Sequence, residues 1–295
     1  MASFTGRVAI VTGAGKGLGR AYALFLAAQG ASVVVNNRRP ARDESGGSAD
    51  RVVDEIVRAG GAAAPDYGDA TDASAGAHMV ETALARFGRL DILIANAGVN
   101  ESVPFRKQRL DDFRRVMEVN LFGTLAVAHS AFRVMYAAGY GRILLTTSTA
   151  GLYGGVGLPS YSSSKAAVIG LMRALSLEGA RGGVLVNAIA PYATTHMTEA
   201  LTPARLHAPF DPDKVAPIAA WLVSEKQRRS GEIVICGGGA LRVARMMESG
   251  SALLADDGIT LEDRLASIDA AGGFRPMASA QAEFSDFAAA IGLVA

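Results

Sequence analysis

Three features of the sequence predict a single-domain α/β fold. Short apolar or β-branched runs alternate with longer runs of helical character along most of the chain. The short runs are apolar at their centres, and a glycine cluster closes the first of them. Strict β-α alternation with apolar strands indicates a parallel sheet covered by helices on both faces. Seven such runs in one series predict a seven-stranded parallel sheet of Rossmann type in one domain. The composition agrees: half the 295 residues are apolar, 19% are charged and 34 are glycine, the profile of a large buried core with tight turns.

The first run, residues 8–12, leads into Thr12-Gly13-Ala14-Gly15-Lys16-Gly17-Leu18-Gly19, which opens a helix expected at 18–29. Glycines there let the backbone turn sharply and approach a pyrophosphate. The helix N-terminus adds free N–H groups and a partial positive charge. Gly13, Gly15, Lys16, Gly17, Leu18 and Gly19 are therefore candidate dinucleotide contacts. The second run, 32–36, is followed by Asn37-Arg38-Arg39. NAD-binding folds usually have a carboxylate at this point for the adenosine ribose. Here it is missing, and Arg38, Arg39 and Lys16 offer cations to a 2′-phosphate. The other reading leaves the arginines solvated or paired with Asp43 and Glu44. The balance leans to NADP, with NAD as the second option.

A helix at 49–59 and a short third run at 62–65 precede Asp69. Its carboxylate either accepts from the adenine amino group or caps the helix expected at 73–87. The fourth run, 91–95, ends at Asn96-Ala97-Gly98, a tight turn against the adenosine side in which Asn96 reads as a structural hydrogen-bond bridge. A long helix at 110–138 and a fifth run at 143–147 lead to Ser148. Tyr161 and Lys165 follow, four residues apart and so on one face of a helix at 161–179. A phenol of pKa about 10 is a poor base near neutral pH, and a nearby ammonium favours the phenolate. Ser148 is placed to hydrogen-bond the oxygen that gains or loses charge. Alone, such a pair is an ordinary solvated helix face; beside a dinucleotide turn it reads as acid–base machinery.

The sixth run, 185–190, enters a stretch from 191 to 212 with four prolines and no clear periodicity. Irregular segments of that length are often binding loops or lids, and this one leaves the carboxyl edge of the sheet. A helix at 215–225 and a seventh run at 232–236 complete the series. The Gly237-Gly238-Gly239 turn begins a tail with a helical stretch at 281–291. The organisation expected is a catalytic domain at 1–240 and an extension at 241–295, packed on that domain or in a subunit interface.

A net charge of +1 gives no reason to expect nucleic acid. Cys236 is the only cysteine, and His78, His129, His196 and His207 lack ligand spacing, so no metal site is expected. The N-terminus does not read as a signal peptide, and no uncharged apolar stretch approaches the roughly 20 residues that span a bilayer. The expectation is a soluble cytoplasmic protein with no membrane partner.

With both motifs located, residues 4 to about 239 resemble a classical short-chain dehydrogenase/reductase. The resemblance rests on the glycine turn, Asp69, Asn96-Ala97-Gly98, Asn120, Ser148, Tyr161, Lys165 and the turn at Pro191. Within the family the chain is most similar to the (R)-3-hydroxyacyl-CoA dehydrogenase unit of peroxisomal multifunctional enzyme type 2, in segments such as Gly151-Leu152-Tyr153-Gly154 and Val215-Ala216-Pro217. The resemblance implies Tyr161 as general base in oxidation and acid in reduction. Lys165 would lower its pKa and hold the nicotinamide ribose, Ser148 would orient the substrate oxygen, and Asn120 would hold a water linking Lys165 to solvent. The family's Pro-Gly after the sixth strand is Pro191-Tyr192 here, and Thr194 or Thr195 would contact the carboxamide. The acidic residue that the subgroup carries on the adenosine side is Asn37, so its NAD preference does not carry over.

Leu152, Tyr153, Tyr192, His196 and Met197, with Ser148, form the expected substrate walls. The function so implied is hydride transfer between a nicotinamide cofactor and a secondary alcohol or ketone. A 3-hydroxyacyl thioester is favoured over a bulky hydrophobic alcohol such as a hydroxysteroid. A non-catalytic dinucleotide sensor is the alternative of a different class. No basic cluster stands out as a site for coenzyme A phosphates, and a homodimer or homotetramer is expected.

Overall fold

The computed structural model of the chain describes residues 3–38, 48–195, 197–199, 203–254 and 258–291. It divides into two compact units, Met1–Val243 and Ala244–Ala295.

The first unit is built on β1 (Val8–Val11), β2 (Ser32–Asn36), β3 (Ala62–Asp66), β4 (Ile92–Ala95), β5 (Gly141–Thr146), β6 (Val184–Pro191) and β7 (Ile233–Gly237). Its helices are α1 (Gly17–Ala28), α2 (Ser48–Arg58), α3 (Ala75–Phe87), α4 (Leu110–Met117), α5 (Gly123–Ala137), α6 (Thr149–Tyr153), α7 (Pro159–Gly179) and α8 (Ala216–Leu222). The strands lie in the order β3-β2-β1-β4-β5-β6-β7-β8, where β8 is Ala240–Ala244. The ladders from β3 through to β7 are all parallel. The order reverses between β1 and β4, and the crevice at such a switch point is where open α/β sheets bind ligands.

Every residue of β1, β4 and β5 is buried, so both sheet faces are covered, which is why these runs show no alternation. One core joins Ala9, Val11, Val33, Val35, Ile92 and Ile94 to Tyr22 and Leu26 of α1 and to Ala216 and Ala219 of α8. Each fully buried Val, Leu or Ile contributes about 1.5–3 kcal/mol.

Three elements of the first unit depart from the sequence expectation. The sheet has eight strands, not seven: β8 follows the glycine turn at its edge, and its exposed side chains give no core signal. The helix expected at 110–138 contains a π-helical turn, Glu118–Phe122, between α4 and α5. The five-residue α6 was not anticipated; it is too short to show a helical period, although Ser148 caps its start.

In the second unit, Thr260 caps α9 (Leu261–Ala271) and Ser279 caps α10 (Ala280–Ala290). Glu248 bridges to Arg275, and Arg275 pairs with Asp286. Among the described residues, no helix is long and apolar enough to cross a membrane.

Candidate active site

The carboxyl ends of β4 and β5 bring the candidate catalytic residues together. Asn120 lies fully buried in the π turn, a rare irregularity that recurs at functional sites. Its Oδ1 accepts from the Val99 N–H (2.8 Å), and its Nδ2 donates to the Val99 carbonyl (2.9 Å) and to Ser164 Oγ (3.0 Å). One amide thus ties the segment after β4 to α7. The side chain makes protein hydrogen bonds of the kind a buried asparagine needs. Its backbone carbonyl accepts from Thr124 Oγ1 (2.8 Å).

Lys165 is buried one turn along α7 from Tyr161. Its Nζ donates to the Thr146 carbonyl (2.9 Å) and lies 5.7 Å from the centroid of the Tyr161 ring. Thr147 Oγ1 donates to the Lys165 carbonyl (2.7 Å), fixing the helix against the end of β5. A Cβ added to Gly98 would lie 3.2 Å from Asn120 Oδ1 and 3.4 Å from Lys165 Nζ, so backbone, amide and amine converge there.

Ser148 has two roles. Its Oγ accepts from the Ala150 N–H (3.1 Å), capping α6, and it lies close enough to the Tyr161 hydroxyl to favour the phenolate. Burial pushes the Tyr161 phenol above its ordinary pKa, and the Ser148 hydroxyl works against that rise. Burial also pulls Lys165 from 10.5 to about 8. Within the chain, then, enclosure sets the direction at Tyr161 rather than the lysine charge anticipated from spacing. The reason is geometric: the ammonium faces the Thr146 carbonyl and the ring, in a pocket that disfavours charge of either sign.

The glycine turn lies alongside. Gly13 (φ +63°) and Gly17 (φ +55°) hold left-handed backbone, and a Cβ on Gly19 would stand 2.3 Å from the Gly13 carbonyl oxygen. The N-cap of α1 is Lys16, with no side-chain cap and no acid in the first turn. Its first N–H groups therefore face outward unsatisfied beside Leu18, a cradle that fits a pyrophosphate. Gly15 packs against Asn37, whose Nδ2 donates to Ser48 Oγ (2.6 Å).

Thr12 Oγ1 accepts from the N–H groups of Asn96 (2.9 Å) and Ala97 (3.0 Å), and Asn96 Nδ2 donates to the Thr12 carbonyl (3.1 Å). Asn96 is thus the structural bridge read from sequence. Asp69 Oδ1 accepts from Thr71 N (2.9 Å) and Thr71 Oγ1 (2.8 Å), closing a turn ahead of the helix. Those bonds, with Arg38 contributing less, hold the carboxyl below its usual range.

Beyond β6, Pro191 ends the strand, and Tyr192, half exposed, donates from its hydroxyl to Thr149 Oγ1 (3.2 Å), beside Ser148. Its ring leans on Phe210 at 6.2 Å between centroids. The Thr194 hydroxyl is buried with no hydrogen-bond partner among the described residues, which suits a ligand amide. The Thr195 hydroxyl instead accepts from the Met197 N–H (3.2 Å), folding Met197 back into the loop. Leu152 and Tyr153 lie on α6, Tyr153 being 75% exposed. His196, Arg39, Asp43 and Glu44 lie outside the described residues.

Sequence reasoning missed the supports. Thr147, Val99 and Ser164 position Lys165 and Asn120, and the Thr146 carbonyl carries no side-chain signal at all. Ser164 was legible only in that it lies one residue from Lys165.

The model of the short chain dehydrogenase family matches residues 7–206. Peroxisomal multifunctional enzyme type 2 of Drosophila melanogaster is 40% identical over 265 residues, which are 88% of this chain and 44% of that enzyme. The chain thus spans under half the length of that relative. A 3-oxoacyl-[acyl-carrier-protein] reductase of Synechocystis is 39% identical over 68% of this chain and 80% of its own. Among solved structures, a short chain dehydrogenase from Mycobacterium avium superposes with a TM-score of 0.80 at 38% identity, covering 92% of this chain and 97% of the other.

Proposed function

The chain belongs to the short-chain dehydrogenase family, an oxidoreductase of the NAD(P)-dependent kind, and on that premise we propose that it interconverts a 3-hydroxyacyl thioester and its 3-oxo form. The observation that carries the reading is the gathering of Ser148, Tyr161 and a buried Lys165, whose Nζ lies 5.7 Å from the Tyr161 ring centroid, with the uncapped end of α1 alongside. The bound nicotinamide supplies the hydride acceptor or donor. Tyr161 takes the hydroxyl proton in oxidation and returns it in reduction, while Ser148 grips the same oxygen. Lys165 holds positive charge beneath the phenol and is a ribose contact, and Asn120 keeps the loop after β4 seated against α7. Thr194, with Pro191 and Thr195 shaping its loop, is the carboxamide contact.

On the adenosine side, Asn37 and Arg38 stand where a carboxylate would select NAD, which supports NADP; NAD remains the second option. Leu152, Tyr153, Tyr192 and Met197 offer apolar walls to an acyl chain, and the acyl-reductase relative supports the thioester. A bulky hydrophobic alcohol such as a hydroxysteroid is the second reading, favoured by the same walls. Residues 1–240 form the catalytic domain in this proposal and 241–295 an extension. Exposed Phe122, Leu125 and Leu177 on the α5 side and α7 support a homo-oligomer, which light scattering tests. The cytoplasmic placement stands as part of the reading, beside a relative that is peroxisomal by name, and cell fractionation decides between them.

The test is purified protein with NADPH or NADH and a panel of 3-oxoacyl thioesters and cyclic ketones, read as loss of reduced-nicotinamide absorbance. Turnover of thioesters is expected. Tight cofactor binding without turnover of any ketone would identify a non-catalytic dinucleotide sensor instead.

A further inference from the structure

Arg106, Lys107 and Arg109 lie on or beside the short 3-10 turn Phe105–Lys107, all three exposed. In sequence they are a short basic run among acids. In the fold two of the three nearby acids are engaged: Arg115 pairs with Glu101 (3.3 Å) and Arg114 with Asp111 (3.0 Å). Among the described residues, Arg106, Lys107 and Arg109 form no ion pair. Residues 101–115 carry five basic and three acidic side chains, a surplus of two where the whole chain has a surplus of one. Positive charge is therefore concentrated here.

The segment is also held beside the catalytic helix. At its start, Val99 is bound by Asn120 on both backbone groups. At its end, Gln108 Nε2 donates to Ser160 Oγ (2.7 Å), the residue before Tyr161. In between, a Cβ on Gly157 would meet Ser102 Oγ at 3.5 Å, so the segment also borders the loop that joins α6 to α7. Phe105, 76% exposed, adds an apolar surface next to the cations.

We propose that Arg106, Lys107 and Arg109 form a rim that binds the phosphate groups of coenzyme A while the acyl carbonyl lies at Tyr161. Guanidinium and ammonium groups on a fixed turn suit phosphate oxygens, and Phe105 offers a face for the adenine ring. The site rests on the thioester reading above and reverses the sequence-level expectation that no basic cluster serves coenzyme A. The run looked ordinary because only the fold pairs off two of its three acids and, through Gln108, anchors it next to Ser160.

The test compares wild type with the triple variant Arg106→Gln, Lys107→Gln, Arg109→Gln, none of whose positions is buried. Acetoacetyl-CoA and acetoacetyl-N-acetylcysteamine, which lacks every phosphate, are the paired substrates. The KM for the CoA thioester should rise roughly tenfold, with kcat and the N-acetylcysteamine kinetics unchanged. Raised salt should weaken the CoA thioester selectively in wild type and not in the variant. Acetoacetyl-4′-phosphopantetheine separates the sources: an effect of equal size on it would move the site to the pantetheine phosphate shared with carrier proteins and overturn the assignment to coenzyme A. Equal change in both paired substrates, or in neither, overturns the rim. If no thioester is turned over, the function reading fails on its own, and the rim is judged by calorimetry of coenzyme A binding in excess nicotinamide cofactor. Weaker binding by the variant supports the rim, and equal or absent binding refutes it.

Discussion

Arg38 and Asp69 pair across the ends of β2 and β3, with Nη1 3.6 Å from Oδ2. In sequence Arg38 is a candidate for a 2′-phosphate, and Asp69 either an adenine contact or a helix cap. Their pairing makes them competitors, since a phosphate that recruits Arg38 must draw it away from a carboxylate.

Asp69→Asn keeps the acceptor for Thr71 and removes the competing charge. Affinity for NADPH should increase a few-fold, as expected of an exposed ion pair, with NADH little changed. Arg38→Ala should weaken NADPH far more than NADH. Fluorescence titration of both cofactors checks this, and equal effects of Arg38→Ala on the two would count against a 2′-phosphate contact.

Tyr161→Phe removes only the phenolic hydroxyl beside Ser148. Turnover should vanish while the cofactor dissociation constant stays nearly the same. Retained turnover would falsify the acid–base assignment.

Ser148→Ala deletes an oxyanion donor, and the rate should fall roughly 10²–10³-fold. The same change removes the hydroxyl that opposes the effect of burial at Tyr161, so the rise of the oxidation rate with pH should move to higher pH. It also removes the cap of α6, at a cost of about 1 kcal/mol. A pH–rate profile with an unshifted limb would show that Ser148 does not act on the phenol.

Lys165 titrates at about 8 in the folded chain against 10.5 in the unfolded one. Between those values the unfolded chain holds a proton that the folded chain has released, so this group's contribution to stability rises with pH across the window. Below about pH 8 both states are protonated and the buried charge is a constant penalty. Lys165→Met removes it, so the stability difference, variant minus wild type, should decline from pH 8 to 10.5 by about 3 kcal/mol, whatever offset the lost Thr146 bond adds. Tyrosines remote from position 165 titrate in both proteins and cancel in the difference. Urea unfolding at intervals across that range measures it, and a flat difference would place the Lys165 pKa elsewhere.

The sequence by itself determined the alternation of strands and helices, the dinucleotide turn and the one-face spacing of Tyr161 and Lys165, because each depends on neighbours a few residues apart. Strand β2 was legible to the residue, as its five-residue run is bounded on both sides. Strand β8 was not, because an exposed edge strand buries nothing that a pattern could register. Tertiary structure alone decided which groups are enclosed and which meet. It brought Asn120 to Val99 and Ser164, set Arg38 against Asp69, and bound Gln108, between the cations at 106–109, to Ser160. Desolvation and long-range pairing depend on how distant segments pack, so the protonation balance of Tyr161 and Lys165 emerges only when the chain has closed around them.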